Sequence, residues 1–573
     1  MTPAHGLTPA YPERAPWGTA QLLRAWQEEA LAAYFEDEPR DFLAAATPGA
    51  GKTTFALRLV AELLQRGTID RVTVVAPTEH LKRQWADAAA RANLRLDPNY
   101  RNGTSWGGRR FHGMVVSYAQ VAVDAGLHRK VTESGRSLVI LDEVHHGGDA
   151  LSWGDAMREA FDPAVRRLAL TGTPFRSDGS PIPFVEYGPG PGGELTSITD
   201  YRYGYGRALR DGVVRPVVFL AYQGGMRWRT RAGDEMEARL GQPDTKDVTS
   251  QAWRTALDPG GEWIPAVLRA ADLRLTTVRH AVPDAGGLVL ATDQRAARAY
   301  AEILRGITGE EPVVVLSDDS GASTRIEAFA AGGQRWLVAV RMVSEGVDVP
   351  RLAVGVYATS ASTPLFFSQA VGRFVRARRR GETASIFIPE VPPLVALAVE
   401  LERERDHVIG AQPDGDGLDD SLLATALRQD SGSADLLEGE WEAIASDAEF
   451  ARVVYEGDDY GFAAFTGSED ELDFLSMPGL LTPDELRDAL RHRQARQGRR
   501  RAAKSPEEAP VALYRTLAEQ RQLLHRLVAM RARRTGEPHS HIHAELRRSC
   551  GGPEVSRATV VQLQARIDRL RLM

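Results

Sequence analysis

The segment AATPGAGKTT, residues 45–54, lies between an apolar run ending at Ala46 and an amphipathic run beginning at Phe55. Strand, glycine-bearing loop and helix in that order restrict the chain to a fold in which a buried strand delivers a loop onto a helix N-terminus. The stretch fits G-x-x-x-x-G-K-[ST], with Ala46 in the place of the first glycine. Such a loop works because successive backbone N–H groups wrap phosphates at the positive end of a helix. The lysine then reaches the outer phosphates and the hydroxyl binds Mg²⁺. Those demands fall on Gly49, Gly51, Lys52 and Thr53, and Pro48, Ala50 and Thr54 complete the candidate cradle.

A second signal lies downstream in SLVILDEVHH, residues 137–146. An apolar strand ending in Asp142 and Glu143 puts two carboxylates at the carboxyl edge of a parallel sheet. Asp142 is suited to hold Mg²⁺, and Glu143 to orient and deprotonate an attacking water.

Short apolar runs alternate with helical patterns around these two motifs. The strand candidates are 42–46, 72–76, 114–116, 137–141 and 167–170, and a second series follows at 287–291, 312–316, 336–340, 352–357 and 385–388. Continuous apolar runs are what strands covered on both faces require, so an α/β fold with two parallel-sheet lobes is expected. Helical runs such as 294–304 and 366–379 fall between the strands of the second series. Past about residue 405 the rhythm stops. The expected division is an N-terminal extension 1–19, a nucleotide-binding lobe 20–215, a second lobe 216–405, an acidic accessory or linker region 406–490 and a basic, mainly helical region 491–573.

Bulk properties narrow the class. The chain has 573 residues, a formal net charge of −7 and one cysteine, Cys550, which rules out an intrachain disulfide. No apolar run approaches the roughly 20 residues that span a bilayer, and the N-terminus lacks a basic-then-apolar leader. A cytoplasmic protein without a membrane partner is expected. Positive charge clusters at 373–380, RFVRARRR, and at 491–504, RHRQARQGRRRAAK.

With these motifs in order, the chain resembles superfamily 2 helicases and translocases of the DExH type from about residue 20 to 390. It is closest in wording to the helicase subunits of type III restriction enzymes and to XPB-type repair helicases. Residues 23–27, LRAWQ, resemble the family's adenine-reading element, in which Gln27 would favour ATP. The loop 46–54 is similar to motif I and 142–145 to motif II. Residues 75–85 resemble motif Ia, and 170–174, LTGTP, motif III. In the second lobe 288–293 is similar to motif IV, 343–350 to motif V and 369–376 to motif VI.

The resemblance implies two tandem RecA-like lobes with ATP and Mg²⁺ in their cleft. It gives Arg373 and Arg376 the role of arginine fingers and places Gly346, Asp348 and Gln369 at the nucleotide. Thr78, Gln84, Thr171 and Thr173 would touch nucleic acid. The sequence departs from relatives in reading Thr-Gly-Thr at 171–173 and in carrying Ala370 where XPB-like chains place arginine.

Several weaker patterns also have plain structural readings. Tyr201, Tyr203 and Tyr205 alternate near Arg202 and Arg207; an edge strand packed on the first lobe is favoured over a base-stacking face. His539, His541, His543 and Cys550 match no zinc spacing. Asp244-Thr-Lys246 has the spacing of a nuclease pair but no strand to hold it, and reads as loop. The basic run 491–504 suits either a nucleic-acid or partner-docking module or a solvated linker. The expected function is an ATP-dependent helicase or translocase, on DNA in preference to RNA. The alternative is an ATP-gated binding or remodelling switch that does not unwind, within a restriction or defence assembly.

Overall fold

The computed structural model describes residues 23–104, 110–144, 151–172, 181–189, 195–230, 235–242, 244–316, 321–340, 349–379, 381–400, 408–409, 441–503, 520–521, 523–524, 527–528, 531, 539–552, 555, 558 and 560–571. Gly346 and Asp348 of motif V, Thr173 of motif III and the N-terminal extension 1–19 lie outside the described residues.

The first lobe is built on β1 (Asp41–Ala46), β2 (Arg71–Ala76), β3 (Leu96–Asp97), β4 (Gly113–Ser117), β5 (Ser137–Asp142) and β6 (Arg166–Thr171). After β7 (Tyr187–Pro189) and β8 (Leu195–Ser197), β9 (Tyr201–Tyr203) returns to the far edge. The sheet order is β3-β4-β2-β5-β6-β1-β9, and neighbours run parallel throughout. Residues 72–76 and 137–142 are buried without a break, as two-sided cover by helices demands. Registers align Asp142 with Leu170, and Ala45 with Thr171. The ends of β1, β5 and β6 therefore open onto one edge.

The alternating tyrosines settle on the plain reading. Tyr203 stacks on Trp26 at 5.1 Å between centroids and Tyr201 at 6.2 Å, while β9 pairs with β1. Tyr205 leaves the strand and opens the helix Tyr205–Arg210.

The second lobe starts with β10 (Val217–Thr230) and its hairpin partner β11 (Glu235–Leu240). Then come β12 (Gly286–Ala291), β13 (Val313–Val315), β14 (Trp336–Val340), β15 (Leu352–Ala358) and β16 (Ala384–Pro389). The order β13-β14-β12-β15-β16-β10 is parallel. Together the two sheets with their flanking helices make tandem RecA-like lobes. Beyond β17 (Val408–Ile409), which pairs with β8, the strands β18 (Trp441–Ser446), β19 (Glu449–Tyr455), β20 (Asp458–Tyr460) and β21 (Ala464–Phe465) add an antiparallel layer.

β10 changes character along its length. Residues 217–222 are continuously buried between β16 and β19, whereas from Gln223 onward burial alternates. There the strand joins the antiparallel ribbon of β11 and β18, with Met226 and Trp228 turned inward and Arg227 and Arg229 toward solvent.

Residues 441–503 thus pack on the second lobe. Arg274, 1% exposed, staples them by donating to the carbonyls of Leu475 and Met477 while its Nε reaches Ser385 Oγ at 3.0 Å. The expected boundary at 490/491 falls inside the helix Pro483–Ala503. Much of the basic run in that helix is engaged internally. Arg496 and Arg500 pair with Asp473, Arg500 also with Asp470, and Gln497 bonds the backbone of Phe462.

Lys246, expected in a loop, opens the helix Lys246–Ala256, and Asp244 is held by Arg521 at 2.6 Å. Leu524, Ile542, Leu546, Leu563 and Ile567 form a small core of their own. Among the described residues no group of three or more His, Cys, Asp or Glu is arranged for a metal, and no helix is long and apolar enough to cross a membrane.

Candidate nucleotide site where the lobes meet

β1 ends at Ala46, and the chain turns through Thr47–Gly51 into the helix Lys52–Gln65. Gly49 and Gly51 hold φ of 79° and 94°, the left-handed region that glycine enters without a Cβ penalty. A loop that presents its N–H groups to an anion must turn its carbonyls elsewhere, and buried carbonyls need donors. Residues 24–27 supply them. Arg24 Nη1 and Trp26 Nε1 both donate to the Ala50 carbonyl at 3.1 Å, and Gln27 Nε2 donates to that of Gly51 at 2.9 Å.

Gln27 was expected to read adenine. It is fully buried, and its Oε1 accepts the Arg24 backbone N–H at 2.9 Å. Both ends of its amide are bound within the protein, so in this conformation it braces the loop and shows no face to a base. Arg24 and Trp26 belong to the 23–27 element but carry no role of their own in the sequence reading. The usable signal was that a buried indole N–H seeks an acceptor.

Lys52 Nζ lies 3.0 Å from Glu143 Oε1 and 3.2 Å from the Ala46 carbonyl. Glu143 sits at φ 48°, a left-handed conformation that is uncommon for a residue with a side chain. Its Oε2 accepts the backbone N–H of Gly172 at 3.1 Å, which ties motif II to motif III.

Asp142 is 7% exposed, and its Oδ2 accepts the indole N–H of Trp85 at 2.6 Å. Burial and the neighbouring Glu143 charge push its carboxyl up to about 6, against the pull of the Trp85 bond and the Lys52 charge. Tyr118 adds a bond from its hydroxyl to the Asp142 carbonyl at 3.0 Å. Trp85 enters the sequence reading only as the last residue of the 75–85 segment, with no role of its own, and Tyr118 does not enter it.

The second lobe closes on this loop. Gly372, at the end of the helix Pro364–Gly372 that also carries Gln369, packs on Pro48: a Cβ at Gly372 would come within 2.9 Å of Pro48 Cγ. A Cβ at Gly49 would come within 2.9 Å of Arg376 Cγ. Arg373 and Arg376 are partly buried here, and Arg376 pairs its backbone with Val214. Thr53 is partly buried at the start of the loop helix, whereas the Thr54 hydroxyl is buried without a partner among the described residues.

Of the expected strand contacts, Thr78 caps the helix Glu79–Arg91 by accepting Leu81 N–H, and Gln84 is partly exposed on that helix. Thr171 is 0% exposed at the end of β6 and offers no surface to a strand in this conformation.

With this geometry in place, comparisons with known proteins locate the chain. The family described as type III restriction enzyme, res subunit, matches residues 21–176. An uncharacterized protein of Mycobacterium tuberculosis (strain CDC 1551 / Oshkosh) is 56% identical over 96% of this chain and 92% of its own length. The DNA 3'-5' translocase XPB2 of Sulfurisphaera tokodaii is 27% identical over 62% of this chain and 79% of its own length. Among solved structures, the ATP-dependent Type ISP restriction-modification enzyme LlaBIII bound to DNA aligns at TM-score 0.47 and 14% identity, over 96% of this chain and 37% of that one. The chain belongs to the same family as the mycobacterial protein, its residues 21–176 are similar to the res subunit of type III restriction enzymes, and it is similar along part of its length to an XPB-type translocase.

Proposed function

We propose that the protein is an ATP-dependent nucleic-acid helicase or translocase, acting on DNA in preference to RNA, that hydrolyses ATP between a lobe of residues 20–215 and a lobe of residues 216–405. A cytoplasmic setting belongs to the same reading. The observation that carries it is the meeting of Lys52, Glu143 and Arg376 at one loop, from three stretches far apart in sequence. The choice of DNA leans on the name of the Sulfurisphaera relative, a DNA translocase.

In this reading the N–H groups of Gly49 and Gly51 hold the phosphates, the Ala50 N–H closing the loop on the Thr47 carbonyl at 3.1 Å, and Lys52 reaches the outer phosphate. To do so Lys52 exchanges its bond to Glu143 for a phosphate oxygen. Glu143 is thereby released to orient a water and take its proton, with Gly172 N–H fixing its other oxygen. Arg373 and Arg376 neutralise charge that develops on the transferred group, and Gln369, Gly346 and Asp348 complete the contacts from the second lobe.

The Thr53 hydroxyl and Asp142 carboxylate are hard oxygen donors of the kind Mg²⁺ takes, so the site fits that ion. When bound, Mg²⁺ would neutralise phosphate charge. Thr78 and Gln84, and in an opened state Thr171 and Thr173, would meet the strand. The test is ATP hydrolysis measured with single-stranded, duplex and forked DNA and with RNA, beside a strand-displacement assay. Turnover that no nucleic acid alters would overturn the reading.

A further inference from the structure

The Trp85 indole is 2% exposed and spends its single N–H on Asp142 Oδ2 at 2.6 Å. That bond crosses from the helix Glu79–Arg91 to the end of β5. The same helix starts at its N-cap Thr78, one half of the helix away, and Gln84 precedes Trp85 in the chain. Thr78 and Trp85 are about 10 Å apart along a rigid helix at roughly 1.5 Å per residue. The helix is also tied to its neighbour through Lys82, which donates to Gln120 at 3.3 Å and pairs within the helix with the exposed Glu79 at 3.0 Å.

We propose that Trp85 is a positioning residue that transmits strand occupancy on the Glu79–Arg91 helix to the Asp142 carboxylate, fixing which oxygen that carboxylate offers to a cation. The inference rests on the function proposed above and names the coupling element within it. Three features make the indole suited to the task. An indole N–H can only donate, so it selects one carboxylate oxygen and cannot swap roles. A bond from N–H to a carboxylate is strong at this length and is lost once the atoms part by about 1 Å. A carboxylate ligand loses about 10- to 100-fold in metal affinity when a group that orients it is removed. A shift of the helix well under one residue rise would therefore register at Asp142.

The test uses full-length protein, AMP-PNP, Mn²⁺ followed by EPR, and a single-stranded deoxythymidine oligonucleotide. In the wild type, adding the oligonucleotide should change Mn²⁺ affinity. Trp85→Phe keeps an aromatic ring and loses only the donor. It should weaken Mn²⁺ binding about tenfold and abolish the response to oligonucleotide, while oligonucleotide affinity and metal-free AMP-PNP affinity stay within twofold of wild type.

Tyr118→Phe separates positioning from simple damage. It removes a buried bond to the Asp142 backbone, should lower the melting temperature, and should leave the Mn²⁺ response intact. If Trp85→Phe does not fold, 5-fluorotryptophan placed at position 85 keeps the donor, and its ¹⁹F resonance should shift on oligonucleotide addition. Wild-type Mn²⁺ affinity and response in Trp85→Phe, or an unmoved ¹⁹F resonance, overturns the coupling alone. A wild type that binds no nucleic acid overturns both the coupling and the function on which it rests.

Discussion

Lys52 and Glu143 are bonded directly to each other, Nζ to Oε1 at 3.0 Å. In the proposed reaction the lysine serves the phosphates and the carboxylate serves the attacking water, so nucleotide binding has to break this pair. Glu143→Gln removes the charge that holds Lys52 back. It should bind nucleotide at least as tightly as the wild type while losing about 10²- to 10⁴-fold in turnover, the usual worth of a positioned base. Lys52→Ala should lose both. Equilibrium binding of a labelled nucleotide and steady-state hydrolysis check the two halves, and wild-type turnover in Glu143→Gln would remove Glu143 from the role of base.

Arg376 lies over the loop, its Cγ within 2.9 Å of where a Gly49 Cβ would stand. Arg376→Ala should lower kcat by about 10³-fold or more, as expected of a residue that acts on transition-state charge. Nucleotide affinity should change only a fewfold. Weakened binding with unchanged kcat would make this arginine a ground-state contact. Gly49→Ala offers a second check, since the positive φ and the Arg376 stem both oppose the added methyl.

Where the chain is cut should decide whether the lobes survive. Removing residues 504–573 spares the helix Pro483–Ala503 and its arginine contacts to Asp470 and Asp473. That truncation should keep a cooperative melt and basal hydrolysis. Removing 491–573 severs those contacts and should lower the melting temperature measurably. If the 504 truncation also leaves the slope of log K against log salt for DNA unchanged, the tail carries no phosphate contacts, since each one contributes about 0.7–0.9 of slope.

His128 gives the first lobe a pH dependence. It is 1% exposed with Nε2 3.0 Å from Asn102 Oδ1, and burial pulls its imidazole down to about 4, partly opposed by Asp124. The fold therefore favours the neutral ring. The stabilisation is complete above the ordinary value of 6.5 and is lost as pH falls from there toward 4. Over that window the loss should be on the order of 2 to 4 kcal/mol. Denaturant melts at several pH values should show it, and His128→Gln should flatten it. An equal slope in that variant would place the titration elsewhere.

What the sequence made legible follows from how local each signal was. Trp336–Val340 was read end to end because five buried residues in a row need no partner information. The loop at 47–53 was read because its chemistry is carried by consecutive residues. β10 escaped because its second half, QGGMRWRT, holds two glycines and two arginines. It is stabilised by β18 and β19, more than two hundred residues later.

The tie from Trp85 to Asp142 spans 57 positions, and a tryptophan on the apolar side of a helix reads as ordinary core. Gln27 shows a different limit. Its amide was visible in the sequence, but the two backbone groups that claim it were not. The basic stretch from 491 suits a docking module or a solvated linker equally by sequence, because Asp470 and Asp473, which pair with its Arg496 and Arg500, lie on another element.

The most direct test of the account is the steady-state rate of ATP hydrolysis by the full-length protein with and without single-stranded DNA, at saturating ATP and Mg²⁺. The account predicts that the strand raises turnover by about tenfold or more, because closure of the lobes sets Arg376 against the phosphates, and that Arg376→Ala removes the increase. Equal rates with and without DNA, forked DNA and RNA included, would contradict it.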